Sequence, residues 1–529
     1  MANPGLRSRA RCYARADTSS LHHKESSLMG NRLAAVDLGS NSFRLEIGRA
    51  EQGQFIRTEY LKETVRQGGG LDEDRNLTPQ AMQAGWDCLA RFGERLAGFE
   101  PTEVRAVATQ TLREARNRDE FLQRANAVLG FPINVISGRE EARLIYQGVA
   151  KMLPQSTERR LVIDIGGRST ELILGLGAQP QEMESFRVGS IAWSTRYFPD
   201  GMFTKKAFAV AEVAATAVLD EALDKYHPSL WDNAYGSAGT FNAISDVLAA
   251  SGWPSGAITR DGLEWLVERL ITAQSADRLR IAGMRDDRKP IIGGGVSIVR
   301  ALFNLLGIHT LHQATGGLRH GLICDLMGGA SGEEDDLRSR TVARLARKFG
   351  VDTVHGERVA NVAGNLFGQW LALPQTAPLS DTPRHMRKLQ WAAQLHEIGS
   401  HISHSDYHKH GAYILDNADA MGFSISEMHR LSLLVLGHRG KLRKLEPFLP
   451  EAGLAAQLLA LRLAVLLCHA RRDPDLSGLS LEKATTRAGG LVLRCRTGWA
   501  EAFPQSAHLL REEALAWQRT AWPLDLVGC

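Results

Sequence analysis

Ala35-Val36-Asp37-Leu38-Gly39-Ser40-Asn41-Ser42-Phe43-Arg44-Leu45-Glu46-Ile47-Gly48 runs as apolar strand, aspartate, glycine turn and returning strand. Leu161-Val162-Ile163-Asp164-Ile165-Gly166-Gly167-Arg168-Ser169-Thr170-Glu171-Leu172-Ile173-Leu174-Gly175 repeats that order. Laid over each other, Asp37 meets Asp164, Gly39 meets Gly166, Ser42 meets Ser169 and Gly48 meets Gly175. Glycines and small hydroxyl residues let backbone N–H groups close on an anion, so each turn predicts a phosphate-binding nest. A carboxylate at the end of the first strand would repel phosphate, and a hard divalent cation between them resolves that conflict. A single hairpin of this kind is often only a tight turn. Two copies predict two lobes that face each other across a cleft and clamp one polyanion.

Outward from the hairpins, the 529 residues call for two to four domains. Hydrophobic residues at 44% and charged residues at 23% describe an ordinary globular chain. The 63 basic and 59 acidic side chains leave only +4, so attraction to a polyanion must come from local clusters. Cys12, Cys88, Cys324, Cys468, Cys495 and Cys529 are scattered with no Cys-x-x-Cys pair. That pattern argues against a disulfide framework or thiolate zinc site and for a reducing cytosol. No apolar run reaches membrane-spanning length. Residues 1–30 are polar, carry Arg7, Arg9, Arg11 and Arg15, and lack a signal core. They read as a disordered leader, with Met29 as an alternative start.

Residues 55–65 have strand character and run into Arg66-Gln67-Gly68-Gly69-Gly70, read as a loop. Thr78-Pro79 opens a helix whose Met82, Trp86, Leu89, Phe92 and Leu96 recur at helical spacing. A short strand at 104–108 gives way near Arg113, a suitable place for a phosphate contact. Gly138-Arg139-Glu140-Glu141 opens another helix, and the helix dipole alone favours acids there. Ala234-Tyr235-Gly236-Ser237-Ala238-Gly239-Thr240 and Ile291-Ile292-Gly293-Gly294-Gly295-Val296-Ser297 are further glycine loops at helix starts, where anions bind readily. Residues 314–321 close the second lobe. Glu333-Glu334-Asp335-Asp336 reads as a linker, and helical periodicity follows to nearly the end.

The paired hairpins resemble the actin-like phosphotransferase superfamily. With Ser137-Gly138-Arg139-Glu140-Glu141-Ala142-Arg143 between them, the chain resembles the exopolyphosphatase and guanosine pentaphosphate phosphohydrolase (Ppx/GppA) family, most closely its exopolyphosphatases. The resemblance implies an α/β fold of two actin-like (ribonuclease H-like) lobes around a cleft, followed by all-α HD-like C-terminal domains. The implied divisions are a leader at 1–30, lobe I at 31–152, lobe II at 153–330, a helical HD-like domain at 331–480 and a small element at 481–529. Glu141 matches the residue that activates water. Mg²⁺ would be held by Asp37, Asp164 and Glu171. Phosphate would be cradled by Gly39, Ser40, Asn41, Ser42, Arg113, Gly166, Gly167, Ser169, Gly236, Gly239 and Thr240. Arg168 stands where the family usually has a third glycine. An arginine there could crowd the nest or offer phosphate a bidentate guanidinium, and the second reading is preferred. His355, His396-Glu397, His404 and His438 resemble an HD-type skeleton with glutamate in place of aspartate, which implies a metal-free helical domain.

The implied activity is release of terminal orthophosphate from inorganic polyphosphate by a cytoplasmic homodimer, with neither nucleic acid nor integral membrane association. The alternative substrate is guanosine pentaphosphate, served by the same motifs. Arg168 and the basic run Arg439-Gly440-Lys441-Leu442-Arg443-Lys444 tilt the reading toward polyphosphate, whose affinity scales with the cations it meets. Two rivals differ in class. Gly293-Gly294-Gly295 would suit an actin-like ATP-dependent kinase, and an obstructive Arg168 would suit a non-catalytic polyphosphate or alarmone sensor.

Overall fold

The computed structural model describes residues 32–51, 54–154, 156–329, 333–373, 379, 382–418, 420–484 and 490–529. The expected leader at 1–30, with Met29, lies outside the described residues. The first hairpin is β1 (Arg32–Leu38) and β2 (Phe43–Glu51), continued by β3 (Gln54–Glu63). With β4 (Val104–Ala108) and β5 (Ile133–Val135) they form a sheet of order β3-β2-β1-β4-β5. The second hairpin is β6 (Arg159–Ile165) and β7 (Thr170–Leu176), continued by β8 (Gln179–Phe186). With β9 (Asn233–Ser237), β10 (Ala257–Thr259) and β11 (Thr310–Gln313) they form the sheet β10-β11-β9-β6-β7-β8. In each lobe three antiparallel strands are followed by parallel partners beside the first strand. This is the two-lobed actin-like arrangement.

The matched glycines have a definite purpose. The β2–β3 register shifts between Ile47 and Gly48, and the β7–β8 register shifts between Leu174 and Gly175, so each marks a β-bulge. A side chain would not fit at either. A Cβ on Gly48 would lie 2.5 Å from the Phe55 ring, and one on Gly175 would lie within 2.2 Å of Tyr146.

The helix Gly138–Met152 is buried on nearly every side. Ser137 caps it, accepting from the Glu140 N–H. Ile145, Tyr146 and Val149 pack with Val162, Ile173 and Met183 of the second sheet, whereas Leu144 packs with Leu33, Ala35 and Val107 of the first. The helix Leu318–Gly329 lies against it. The approach is backbone-close: a Cβ on Gly321 would sit 2.0 Å from the Leu144 carbonyl oxygen. Residues 138–152, counted with lobe I from the sequence, therefore bridge both lobes.

Glu333-Glu334-Asp335-Asp336 begins the helix Glu333–Lys348 and is not an irregular linker. The helix Lys205–Leu219 is followed directly by a short 3₁₀ turn at Asp220–Ala222. The C-terminal region is helical as expected, with one addition. A sheet of order β12-β13-β14 (Leu479–Lys483, Leu491–Cys495, Leu524–Val527) shares its core with the helices, and Trp499 and Trp517 are fully buried there. Cys495 and Cys529 are joined by a disulfide, which corrects the expectation from cysteine spacing. The bonded pair sits 34 residues apart, a separation no short motif encodes. No helix among the described residues is long and apolar enough to cross a membrane.

Among the described residues, His355, His396 and Glu397 are the one group whose ligand atoms all lie within 4.8 Å of one another. Both Glu397 oxygens accept from Arg471 Nη2, at 2.8 and 3.0 Å, so a guanidinium already sits where a metal would claim that carboxylate. His396 and His438 pair their Nδ1 atoms with the carbonyls of Ala393 and Val435, both at 2.6 Å. Burial holds both imidazoles neutral, lowering His396 to about 4 and His438 well below its ordinary value. An unfolded histidine takes its proton near 6.5, so His396 contributes stability above that pH and loses it as pH falls toward 4. The loss is on the order of 3 kcal/mol. Hydrogen exchange in the helix Thr353–Leu371 should accelerate between pH 7 and 5, after correction for intrinsic rates. Unchanged protection would refute this.

Candidate active site

Between the lobes lies a cleft of about 340 Å³ lined by Asp37, Gly39, Ser40, Asn41, Ser42, Glu141, Asp164, Gly166, Gly167, Ser169, Gly239 and Thr240. The two turns meet at its floor, where a Cβ on Gly167 would lie 3.1 Å from that of Ser40. Ser40 Oγ accepts from the Thr111 hydroxyl (2.8 Å), and the Thr240 hydroxyl donates to the Ile165 carbonyl (3.0 Å). Ala238 opens its helix at φ 70°, a left-handed conformation that a non-glycine residue adopts at a cost of about 1–3 kcal/mol. Such strain next to a cleft accords with a backbone shaped around a ligand.

Adjacent glutamates have separate tasks. Glu140 is fully buried and engaged: Arg143 donates Nε and Nη2 to it, both at 2.8 Å, and the Gly422 N–H donates at 2.9 Å. Glu141 instead lines the cleft and accepts one bond from Arg113 Nη1 at 2.7 Å. Burial raises its proton affinity against the opposing pull of Arg113, and the charge of Asp37 adds to the rise. Asp164 is raised to about 7, by burial first and then by Glu141, despite a hydrogen bond from Ser237. Glu171 is raised well above the usual carboxylate range by burial, Glu141 and Asp164. Asp37 and Asp164 thus face the cleft as oxygen donors, with the charges of Glu141 and Asp37 adding to the rise of Asp164, and a hard divalent cation with water ligands relieves that charge. The two cavity-facing aspartates fit such an ion.

Several expected contacts fall elsewhere. Glu171 stands behind the cleft, its Oε1 accepting from the Ser185 hydroxyl at 2.7 Å, so of the three carboxylates expected to hold metal Asp37 and Asp164 face the cavity, beside Glu141. Gly236 lies within β9, where a Cβ would strike Leu311 and Phe241, and it is not among the residues lining the cavity. Arg113 points its guanidinium at Gln110, the Ile136 carbonyl and Glu141 and is not among the residues lining the cavity. Arg168 turns away from the nest. Its Nε and Nη2 donate to Glu114 Oε2 at 3.0 and 2.7 Å, and its Nη1 to the Gly68 carbonyl at 2.9 Å. The preferred phosphate grip by Arg168 is therefore not the arrangement found. Gly293-Gly294-Gly295 is a packing surface: a Cβ on Gly294 would lie 2.5 Å from the Ser194 nitrogen.

The cations that do face the cleft include Arg44, Lys62, Arg285, Arg288 and Arg319, none of them singled out from the sequence. Arg44 pairs with Asp37 at 3.0 Å. A signal for it existed, because it occupies in the first hairpin the place that Glu171 occupies in the second. Arg319 bonds Glu46 at 3.0 Å and approaches Asp37 at 3.8 Å. Arg288 is mostly buried over Gly239 with its Nε lacking a hydrogen-bond partner, and burial lowers its proton affinity. A buried cation with an unused donor is what an anion would complete.

The model of the Ppx/GppA phosphatase family matches residues 47–329, and that of Ppx/GppA phosphatase domain III matches residues 337–514. The guanosine-5'-triphosphate,3'-diphosphate pyrophosphatase of Vibrio parahaemolyticus is 36% identical over 503 residues, covering 94% of this chain and 98% of its own. The protein of the same name from Vibrio atlanticus is 37% identical over 500 residues, 93% of this chain and 97% of its own. Among solved structures, an exopolyphosphatase from Cytophaga hutchinsonii superposes with a TM-score of 0.51 at 22% identity, over 56% of this chain and 98% of that one. That last likeness is one of fold.

Proposed function

The chain belongs to the Ppx/GppA phosphatase family and is a hydrolase of phosphoanhydride bonds, and from that premise we propose that it removes the terminal 5'-phosphate of guanosine pentaphosphate. The observation that carries the substrate is the likeness, over 94% of the chain, to a relative named for that nucleotide. This replaces the expectation of polyphosphate. One feature behind that expectation, Arg168, is spent on Glu114. In the other, the basic run, Arg439 lies 4.7 Å from the Tyr407 ring and Leu442 is buried, away from the cleft lining.

In this reading the terminal phosphate rests on the backbone N–H groups of both turns, with Ser42, Ser169 and Thr240 beside it. Arg288, Arg285 and Lys62 meet the remaining phosphate charge. A divalent ion, Mg²⁺ by preference, would be held by Asp37 and Asp164 with water completing its shell, and would neutralise charge on the transferring group. Glu141 takes a proton from the attacking water as the water oxygen bonds the terminal phosphorus. The bond from that phosphorus to the bridging oxygen breaks, giving orthophosphate and guanosine tetraphosphate.

The test is orthophosphate release from guanosine pentaphosphate and from long-chain polyphosphate under one set of conditions with Mg²⁺. A kcat/KM at least about tenfold higher for the nucleotide is expected. A preference for polyphosphate would return the chain to the exopolyphosphatase reading, and binding of either without release would make it a sensor.

A further inference from the structure

We propose that Arg168 is a latch between the lobes and a positioning residue for Glu141, acting through Glu114, Gln110 and Arg113. The inference rests on the reading of Glu141 as the base. Arg168 belongs to the second lobe's turn, whereas Glu114, Gln110, Arg113 and Gly68 all belong to the first lobe. The contacts run without a break. Arg168 Nη2 donates to Glu114 Oε2 at 2.7 Å, and Gln110 Nε2 donates to Glu114 Oε1 at 2.6 Å. Gln110 Oε1 accepts from Arg113 Nε and Nη2 at 2.9 and 2.6 Å. Arg113 Nη1 then donates to Glu141 Oε2 at 2.7 Å and to the Ile136 carbonyl at 2.9 Å.

The chain of contacts has a sense that one residue sets. An amide carries donors on one end and acceptors on the other. With Glu114 ionised and fixed by Arg168, Gln110 must give it N–H and so turns its carbonyl to Arg113. Reversing Gln110 would set N–H against guanidinium and carbonyl against carboxylate. Although burial opposes it, the bonds from Gln110 and Arg168 keep Glu114 below the usual carboxylate range, so the acceptor stays charged. The contact of Arg168 with the Gly68 carbonyl adds a second tie to the first lobe. Both ties cross from one lobe to the other, so the placement of the lobes and the orientation of the base are linked. A glycine at position 168 could supply neither.

Glu141 is faced by Arg113 from the helix Gln110–Glu114, Asp37 from β1, Asp164 from β6 and Glu171 from β7. Of these only Arg113 favours its ionised form. Loosening Arg113 should therefore misplace the base and lower kcat. The experiment compares Arg168→Ala, Arg168→Lys, Glu114→Gln and the Ala/Gln double variant in the full chain, on whichever of the two substrates the wild type hydrolyses. Each of the Ala and Gln variants is expected to lower kcat about tenfold through misplacement of the base. KM should stay within about twofold. The double variant should be no worse than either single one, and Lys should restore part of the rate. Unchanged kcat, an effect on KM alone, or losses that multiply in the double variant would overturn the latch. Glu141→Gln separates the two readings: if it stays active the base assignment falls, and if it is inactive while Arg168→Ala is normal only the latch falls. Should Arg168→Ala not fold, Glu114→Gln carries the same test.

Discussion

Glu141→Gln lowers kcat by about 10²- to 10⁴-fold, the range that general-base catalysis supplies, while leaving KM and the fold unchanged. The substitution isolates proton acceptance from geometry. The amide oxygen can still accept from Arg113 Nη1, so the side chain keeps the place that the 2.7 Å bond defines. Its amide cannot take a proton from water. The measurement belongs at pH 8 to 9 as well as at 7, because burial pushes Asp164 up to about 7 in the ion-free fold and its protonation would otherwise enter the comparison. In the wild type, burial puts the Glu141 proton affinity above the ordinary carboxylate range, so kcat should climb with pH through that raised value. The variant should stay low even where Asp164 is ionised. A variant within about threefold of wild type across that range would remove Glu141 from the chemistry. Glu140→Gln should behave differently: it breaks a buried network with Arg143 and Gly422 and so shows itself as lost stability.

The hairpins were legible because everything that defines them is local. Asp37 and Asp164 end strands whose apolar runs are contiguous, and Gly48 and Gly175 mark bulges at matching registers. Glu141 was singled out only through the family resemblance, because acids in a first helical turn are expected from the helix dipole alone. Arg168 was legible as a departure but not in its direction. Its partner Glu114 lies 54 residues earlier, and a flexible side chain can choose among any acids that folding brings near. The same reason hid Arg319, which bonds Glu46 across 273 residues. Glycine-rich runs misled in a different way. The run at 293–295 has the composition of a phosphate loop, yet the composition serves close approach of Ser194 to a helix. Glycine announces that something comes near the backbone and does not say whether it is a ligand or another chain segment.

Asp164→Asn should make the protein inactive and, without divalent cation, more stable at pH 8 than the wild type. The sign follows from the raised proton affinity. Unfolded, an aspartate loses its proton near 3.9, whereas in the fold Asp164 holds it to about 7. Between those values the native state binds more protons than the unfolded one, so stability falls as pH rises across the window. Fully ionised, the group costs the fold on the order of 4 kcal/mol, through burial first and repulsion by Glu141 and Asp37 second. Asparagine keeps the shape and removes that charge. In the proposed reading a divalent cation offsets the same charge in the wild type, so the thermal midpoint of the wild type should rise with Mg²⁺ while that of the variant hardly moves. The histidine cluster provides an internal contrast, since across the same pH range burial of His396 acts with the opposite sign in the helical region. Region-resolved hydrogen exchange should thus show the cleft strands β6 and β7 loosening as pH rises from 4 to 7 while the helix Thr353–Leu371 tightens. If Asp164→Asn is less stable at pH 8, or gains as much from Mg²⁺ as the wild type, Asp164 is not the group that the cation relieves. If the prediction holds, the cleft is a place where stability has been given up for function, with the carboxylate that weakens the apo fold also holding the ion.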